Sequence, residues 1–246
     1  INEAIQYFME IELLVFVKEQ AQYKYNITAL KKINASSDIY CFLKKKLDSL
    51  PAETREVLST AAVIGNKFSI FTLQQIIDVP LVKIHDAISY FMGKGILINK
   101  DDQASDNNYL KFSHKIYQYS AYQALDNEKR ERAHFRLGQS YLSALANAAV
   151  SKNIYEIVYQ FNHSNRYIGK GITNKKLAHL NIDAGKKALK NTAYNSALVY
   201  FENALRLVKL NLLEWEQEEI YNLYLLAGRT SYLKNDLVNA VKHLEF

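Results

Sequence analysis

A helical pattern that recurs after 43 residues (228 minus 185) constrains the fold of this chain more than any other sequence feature. The first copy consists of Leu177, Leu180, Ala184, Gly185, Ala197 and Phe201, and the second of Ile220, Leu223, Ala227, Gly228, Ala240 and Leu244. Small residues at these positions let two helices approach closely, so each copy is expected to fold as a pair of helices. Such pairs bury their apolar sides by stacking on one another.

The pattern is similar to that of tetratricopeptide repeats, although its period is longer than their usual ~34 residues. Ala188 and Ser231 stand where that pattern has Tyr, and Leu244 replaces Phe. We therefore expect divergent helical repeats. The spacing of Ala197 and Phe201 predicts that these side chains pack one helix pair on the next.

Residues 126–246 are predicted to contain only helices and to form the repeat array. The predicted packing residues of this array are Gly138, Tyr141, Gly185, Ala197, Phe201, Gly228 and Ala240. The sequence stops at AVKHLEF, inside the pattern, and starts at INEAIQYF, which is already amphipathic. We expect both ends to continue in a longer protein, with the array truncated at its C-terminus.

A different pattern in residues 40–125 predicts a winged helix-turn-helix domain. Its helices are expected at 50–65, from Ser69 through Ile77, and from Pro80 to Gly93, followed by strands at 96–100 and 109–113 and a helix at 116–125. Pro51 suits the first turn of a helix, because its missing N–H costs nothing there. The Ser69 hydroxyl is a good N-terminal cap. Three helices followed by a β-hairpin are typical of this domain.

The residues before this domain are predicted to be mostly helical. Apolar residues at helical spacing indicate that residues 1–34 are helical, and a second helix is expected from about Ser37 to Leu50. The segment YKYNI at 23–27 is compatible with a short strand or a turn.

The composition favours a mainly α-helical fold, because 246 residues with only 8 Gly and 2 Pro cannot form many tight turns. The single cysteine, Cys41, excludes an intrachain disulfide and predicts a reducing, cytoplasmic location. The longest apolar stretch, near IELLVFV, is interrupted by Glu10 and Glu12 and falls far short of the ~20 residues that span a bilayer. We expect no membrane span.

No set of residues in the sequence predicts catalysis or metal binding. The histidines lack an H-x-x-x-H spacing or cysteine companions, so a metal site is not expected. No serine stands in a G-x-S-x-G setting, and no G-x-x-x-x-G-K-[ST] loop occurs. The chain is therefore predicted not to be an enzyme by itself.

The order of these segments resembles that of the STAND-type signalling ATPases, whose nucleotide-binding core precedes a winged helix and long tetratricopeptide-like repeats. The resemblance rests on LDSLPAETREVLSTAAVIGNKFSIFTL, FSHKIYQYSAYQAL and LAHLNIDAGKKALKNTAYNSALVYFENALRLV. It implies that residues 1–39 are the tail of the ATPase lid, 40–125 the winged helix and 126–246 the repeats. ATP or ADP would then bind to an upstream core of the full-length parent, which these proteins join to kinase or cyclase domains.

The resemblance assigns a nucleotide-sensing role to His114, because in related proteins a histidine at the end of the winged helix faces the bound diphosphate. The motif continues with Asp in its better-known form, whereas Lys115 follows here. Lysine could contact a phosphate by itself. The alternative is that His114 caps the following helix or packs at a domain boundary.

The function predicted from these features is that of a non-catalytic regulatory part of a signal-transduction ATPase. The winged helix would control the nucleotide-binding core, and the repeats would bind a protein partner or the effector domain of the same protein. The alternative is a DNA-binding transcriptional regulator. The third helix offers it only Lys83, His85 and Ser89, with Asp86 repelling phosphate, so nucleic acid is the less favoured partner.

Overall fold

A computed structural model of the chain describes residues 9, 14–17, 22–25, 43–99, 109–144, 147–169 and 171–245. The described part is mainly helical, with two small antiparallel sheets. The chain divides into two compact units, Ile1–Asp126 and Asn127–Phe246. Within the described residues, every helix is too short or too polar to cross a membrane.

The first unit begins with a β-hairpin in which β1 (Leu14–Val17) pairs antiparallel with β2 (Gln22–Tyr25). The prediction of helix was therefore wrong at 14–17, whereas the possible strand at 23–27 overlaps β2. Leu14–Val17 is a continuous apolar run, whose periodicity does not distinguish a strand from a helix. Phe16 and Tyr23 lie opposite each other with their ring centroids 4.9 Å apart, and such cross-strand aromatic pairs stabilise hairpins.

Of the helix predicted over 37–50, residues 43–48 are helical, and the beginning lies outside the described residues. The other residues of the predicted lid tail, Cys41 and the loop between the strands of the predicted wing also lie outside them. Leu43 and Leu47 point into the core of the first unit.

Three helices follow as predicted: α1 (Ala52–Ile64), α2 (Ile70–Ile76) and α3 (Leu81–Gly93). The Ser69 hydroxyl accepts a hydrogen bond from the Thr72 N–H at 3.0 Å, so the predicted cap is confirmed. Pro51 and Pro80 directly precede the first and the third helix. Large side chains from all three helices, including Leu58, Leu73 and Phe91, form one buried core.

A three-stranded antiparallel sheet closes this core. It is composed of β3 (Lys67–Ser69), β4 (Leu97–Asn99) and β5 (Tyr109–Phe112), with β5 in the centre. The two predicted strands correspond to β4 and β5, but β3 was not predicted. Phe68, Leu110 and Phe112 alternate inward, and the helix α4 (Lys115–Ala124) follows β5.

The second unit is helical throughout its described residues, as predicted. Its helices are α5 (Asn127–Ser143), α6 (Asn147–Asn162), α7 (Asn174–Lys190), α8 (Tyr194–Leu210), α9 (Gln217–Leu233) and α10 (Leu237–Leu244), with 3₁₀ turns at Asn165–Tyr167 and Leu212–Glu214. Each helix packs against the next along the chain. Three residues connect α7 to α8 and three connect α9 to α10, so the two helices of each pair run in opposite directions.

The backbone of the second unit recurs at the interval found in the sequence. Both α7 and α9 have 17 residues, and α9 begins 43 residues after α7 (217 minus 174), as α10 does after α8 (237 minus 194). The connecting turns also match, since the positive φ of Thr192 (57°) recurs at Asn235 (65°). A hydrogen bond from the Ala193 N–H to the Ala188 carbonyl (3.0 Å) recurs from Asp236 to Ser231 (2.9 Å). The pairs α7–α8 and α9–α10 are thus two copies of one backbone design.

Candidate functional site

His114 lies at the N-cap position of α4, immediately after β5. Its side chain is exposed and makes no capping hydrogen bond, and its ring centroid is 6.4 Å from that of Tyr117. Lys115, the first residue of α4, is also exposed. Both side chains are therefore accessible to an anion.

A basic surface lies on the outer face of the same sheet. Lys67 of β3 and Lys111 of β5 are directly opposite in the antiparallel register, so their side chains share one face. The Lys67 ammonium lies 4.1 Å from the centroid of the Tyr109 ring, a favourable cation–π geometry. The arrangement of these groups suits contact with a phosphate or another anion.

The exposed face of α3 combines apolar, acidic and basic side chains. Lys83 lies 3.5 Å from Glu53 in an ion pair. His85 and Ser89 are exposed, but they share the surface with Asp86 and with Val82, whose exposed fraction is 71%. A recognition helix presents mainly polar and basic side chains to base edges, and this face does not.

The glycines of the predicted packing residues lie where helices cross. A Cβ on Gly185 would overlap the ring of Phe201, and one on Gly228 would lie 2.6 Å from Cγ of Leu244. A Cβ on Gly138 would lie 3.2 Å from the Phe161 ring. The ring of Phe201 thus packs against Gly185 in the other helix of its own pair. It also belongs to the same apolar cluster as Leu223 and Ala227 of the next pair.

The remaining predicted packing residues line the core of the same unit. Ala197 and Ala240 are buried at equivalent positions of α8 and α10. Tyr141 of α5 is half-buried against the core, and burial is the main reason why its pKa is raised above the usual value, with a smaller contribution from Glu156.

An apolar surface on α10 stands out when equivalent positions of the two copies are compared. The α10 face consists of Leu237, Val238, Val241 and Leu244, which are all more than half exposed. In the first copy, Leu198 and Phe201 are 4% and 0% exposed, whereas their equivalents, Val241 and Leu244, are 53% and 54% exposed. The helix α9 packs against α8, and within the described residues α10 has no helix in the corresponding place.

The pairs α7–α8 and α9–α10 are joined by a polar cluster at the N-terminal ends of α7 and α9. Lys175 Nζ donates a hydrogen bond to the Glu214 carbonyl at 2.7 Å and lies 3.4 Å from Glu219. His179 stacks on Trp215 with ring centroids 5.0 Å apart. The Glu216 N–H lowers the pKa of Glu219 most, and Lys175 and His179 lower it further.

A buried pair of a histidine and a glutamine connects α5 and α6. His134 is 1% exposed, and its Nδ1 lies 2.6 Å from Oε1 of Gln160. Burial lowers the pKa of His134 to about 4, and the nearby charges of His163 and Arg130 act in the same direction against the opposing hydrogen bond to Gln160. Arginines flank His134 in the sequence, and no local pattern indicates its partner 26 residues away.

Two amides, of which one is half-buried and the other fully buried, connect α6 and α7. Asn162 Nδ2 donates to Oδ1 of Asn181 at 2.9 Å, and Asn181 Nδ2 donates back at 3.1 Å. Asn181 also donates to the Leu177 carbonyl at 2.9 Å. Because Asn181 is fully buried, these bonds satisfy an amide that would be costly to bury alone.

Within the described residues, no group of three or more His, Cys, Asp or Glu side chains is placed to hold a metal ion. No protein-family model, curated protein or solved structure matches the chain. Any function must therefore be argued from the surfaces described above.

Proposed function

We propose that the second unit is a protein-interaction module that binds an amphipathic helix on the α10 face. One observation carries this proposal: Val241 is 53% exposed, whereas its equivalent Leu198 is 4% exposed in a copy of the same backbone. The copy that contains Leu198 is covered by α9, so a helix of the α9 type has the shape and apolarity to cover the other copy. The helix that covers the α10 face would belong to another protein, to an effector domain of the same protein, or to a continuation of the array in the longer protein that the sequence predicts.

We further propose that the chain is a non-catalytic regulatory part of a larger STAND-type signal-transduction ATPase. The three helices and small sheet of the first unit are compatible with a winged helix, and the repeated pairs are compatible with tetratricopeptide-like repeats. In this proposal the first unit controls a nucleotide-binding core of the parent, and His114 and Lys115 contact the phosphates of ATP or ADP there. The exposure of both side chains supports this role.

The interaction proposal is tested with a synthetic peptide of residues 216–234, which contains α9. A peptide of this length is only marginally helical alone, so it should gain helicity when it binds. We expect a dissociation constant in the micromolar range and chemical-shift changes centred on α10. The variant Val241→Asp should weaken binding at least tenfold, because it places a charge in the apolar contact.

Val199→Asp is the matched control, since Val199 lies on α8 and is 54% exposed but is not part of the α10 face. It should bind the peptide like the unchanged chain. If Val241→Asp leaves affinity unchanged, or if both variants lose it equally, the α10 face is not the binding surface.

The assignment to a signalling ATPase is tested in the coding sequence that precedes residue 1. A phosphate-binding G-x-x-x-x-G-K-[ST] loop within a few hundred residues would agree with it. In such a parent, His114→Ala should weaken ADP retention, with His85→Ala as a control at another exposed histidine. Equal retention by both variants would refute the sensing role of His114.

A further inference from the structure

A pocket of about 290 Å³ lies in the first unit, between residues 43–50 and the helices α1, α3 and α4. Its walls combine polar groups with the apolar side chains of Leu47, Leu58 and Phe91, which all belong to the core. Small-molecule sites are typically concave and apolar, with a few polar groups that fix the orientation of the ligand. The pocket does not include His114 or the α10 face, so it is independent of the function proposed above.

Ser120 places an unusual polar group at this pocket. Its side chain is 0% exposed, and its hydroxyl has no hydrogen-bond partner. A buried hydroxyl without a partner is costly, and hydroxyls on helices are normally satisfied. A ligand with an acceptor oxygen in the pocket would supply the missing hydrogen bond.

The charged groups at the pocket all have the same sign. Lys46 and Lys94 line it, and no carboxylate is among the described residues that do so. Lys94 also lies near the Tyr90 ring, 5.8 Å from its centroid, and Tyr90 lines the pocket as well. Ammonium groups beside apolar walls favour a ligand with one anionic end and an apolar body.

We propose that this pocket binds a small amphipathic carboxylate. The carboxylate would accept a hydrogen bond from Ser120 and interact with Lys46 and Lys94, while the apolar body contacts Leu47 and Phe91. The volume equals that of about ten water molecules, so a ligand of about ten non-hydrogen atoms fits. A nucleotide exceeds this size.

The experiment compares octanoate with 1-octanol, which has the same chain and no charge, as ligands of the full 246-residue chain. Titration is followed by calorimetry and by chemical-shift changes at Ser120 and its neighbours. Octanoate should bind with shift changes confined to the pocket and at least tenfold more tightly than octanol. Equal affinity for the two, or no binding of octanoate, would overturn the proposal.

Lysine variants test the role of charge. Lys46→Met and Lys94→Met should each weaken octanoate binding about tenfold, as expected for loss of a charge-assisted contact, and should leave octanol binding unchanged. Lys45→Met is the matched control, because Lys45 is the exposed neighbour of Lys46 and does not line the pocket. If Lys45→Met weakens octanoate binding as much as Lys46→Met, the effect is one of net charge and the site is wrong.

Ser120→Ala separates a binding role from a structural one. Removing an unpartnered buried hydroxyl should raise the unfolding temperature of the free chain slightly, while octanoate binding weakens about fivefold to tenfold. A purely structural serine would not give these opposite changes. If the variant is less stable and binds octanoate normally, Ser120 has a partner within the fold and does not contact the ligand.

Discussion

The helix pairs α7–α8 and α9–α10 share a backbone but differ in what covers them. Their helices begin at a constant interval, and their turns have the same hydrogen bonds and the same positive φ. Yet Phe201 is fully buried, whereas its equivalent Leu244 is half exposed. The two pairs therefore have the same backbone geometry whether or not a further pair covers them. The burial of an apolar side chain such as Phe201, in contrast, depends on the neighbouring pair.

The largest effect is expected from truncating the equivalent large side chains. Phe201→Ala should lower the free energy of unfolding by about 3–5 kcal/mol, because it leaves a cavity against Gly185. Leu244→Ala should lower it by about 1 kcal/mol or less, since half of that side chain already contacts water. Urea denaturation of both variants measures the difference. Similar losses would mean that the two pairs are equally well packed.

A pH titration tests the buried histidine that connects α5 and α6. The pKa of His134 is about 4 in the folded chain and near its usual 6.5 when unfolded, so the unfolded state binds the proton more readily. The contribution of His134 to stability is complete above pH 6.5 and is lost as the pH falls toward 4. The total loss should be about 3 kcal/mol.

The measurement is the urea midpoint between pH 7 and pH 4 for the unchanged chain and for His134→Gln. The substitution should flatten the dependence, because the titrating ring is gone. His85→Gln, at an exposed histidine of the first unit, is the control and should keep the original slope. An unchanged slope in His134→Gln would mean that other groups cause the acid loss.

Adding a methyl group at the helix crossings should destabilise the two pairs by different amounts, and the losses should be smaller than those above. Gly185→Ala should cost about 2–3 kcal/mol, because the new Cβ meets the fully buried ring of Phe201. Gly228→Ala should cost about 1 kcal/mol or less, because Leu244 lies near the surface and can move away. Thermal unfolding of the two variants measures both losses of stability. A larger loss for Gly228→Ala than for Gly185→Ala would mean that α9–α10 is the more tightly packed pair.

The smallest effect is expected in the turns. Thr192 is β-branched and has a φ of 57°, which is unfavourable for such a residue, whereas Asn235 tolerates its φ of 65°. Thr192→Gly should therefore stabilise the chain by up to about 1 kcal/mol, and Asn235→Gly should change stability by a few tenths. Equal effects in calorimetry would show that the side chain at this position is irrelevant.

Local signals in the sequence predicted most of the described helices. Pro51, Ser69 and Pro80 mark starts that the structure confirms, because capping depends only on nearby residues. The interval of 43 residues predicted that a pair of helices would recur, and α7–α8 and α9–α10 begin at that interval. The hairpin β1–β2 was missed because a short apolar run fits both helix and strand, and β3 because three residues show no periodicity.

The candidate sites were harder to predict, because they depend on residues that are distant in the sequence. The sequence around Ser120 gives no sign of a pocket, because Leu47 and Phe91, which line the pocket with it, are distant in the sequence. His134 and Gln160 similarly meet only through the packing of α5 on α6. The exposure of Val241 could not be predicted, because its equivalent Leu198 is also apolar but is buried in the structure.

The reciprocal amide bonds between Asn162 and Asn181 limit how α6 and α7 can move against each other. Both amides are satisfied at a single axial position, and sliding by one helical turn, about 5.4 Å, would leave a buried amide unpaired. The junction is therefore expected to resist gradual shear under mechanical load and to separate in one step, so that α6 and α7 transmit force as a stiff joint up to that point.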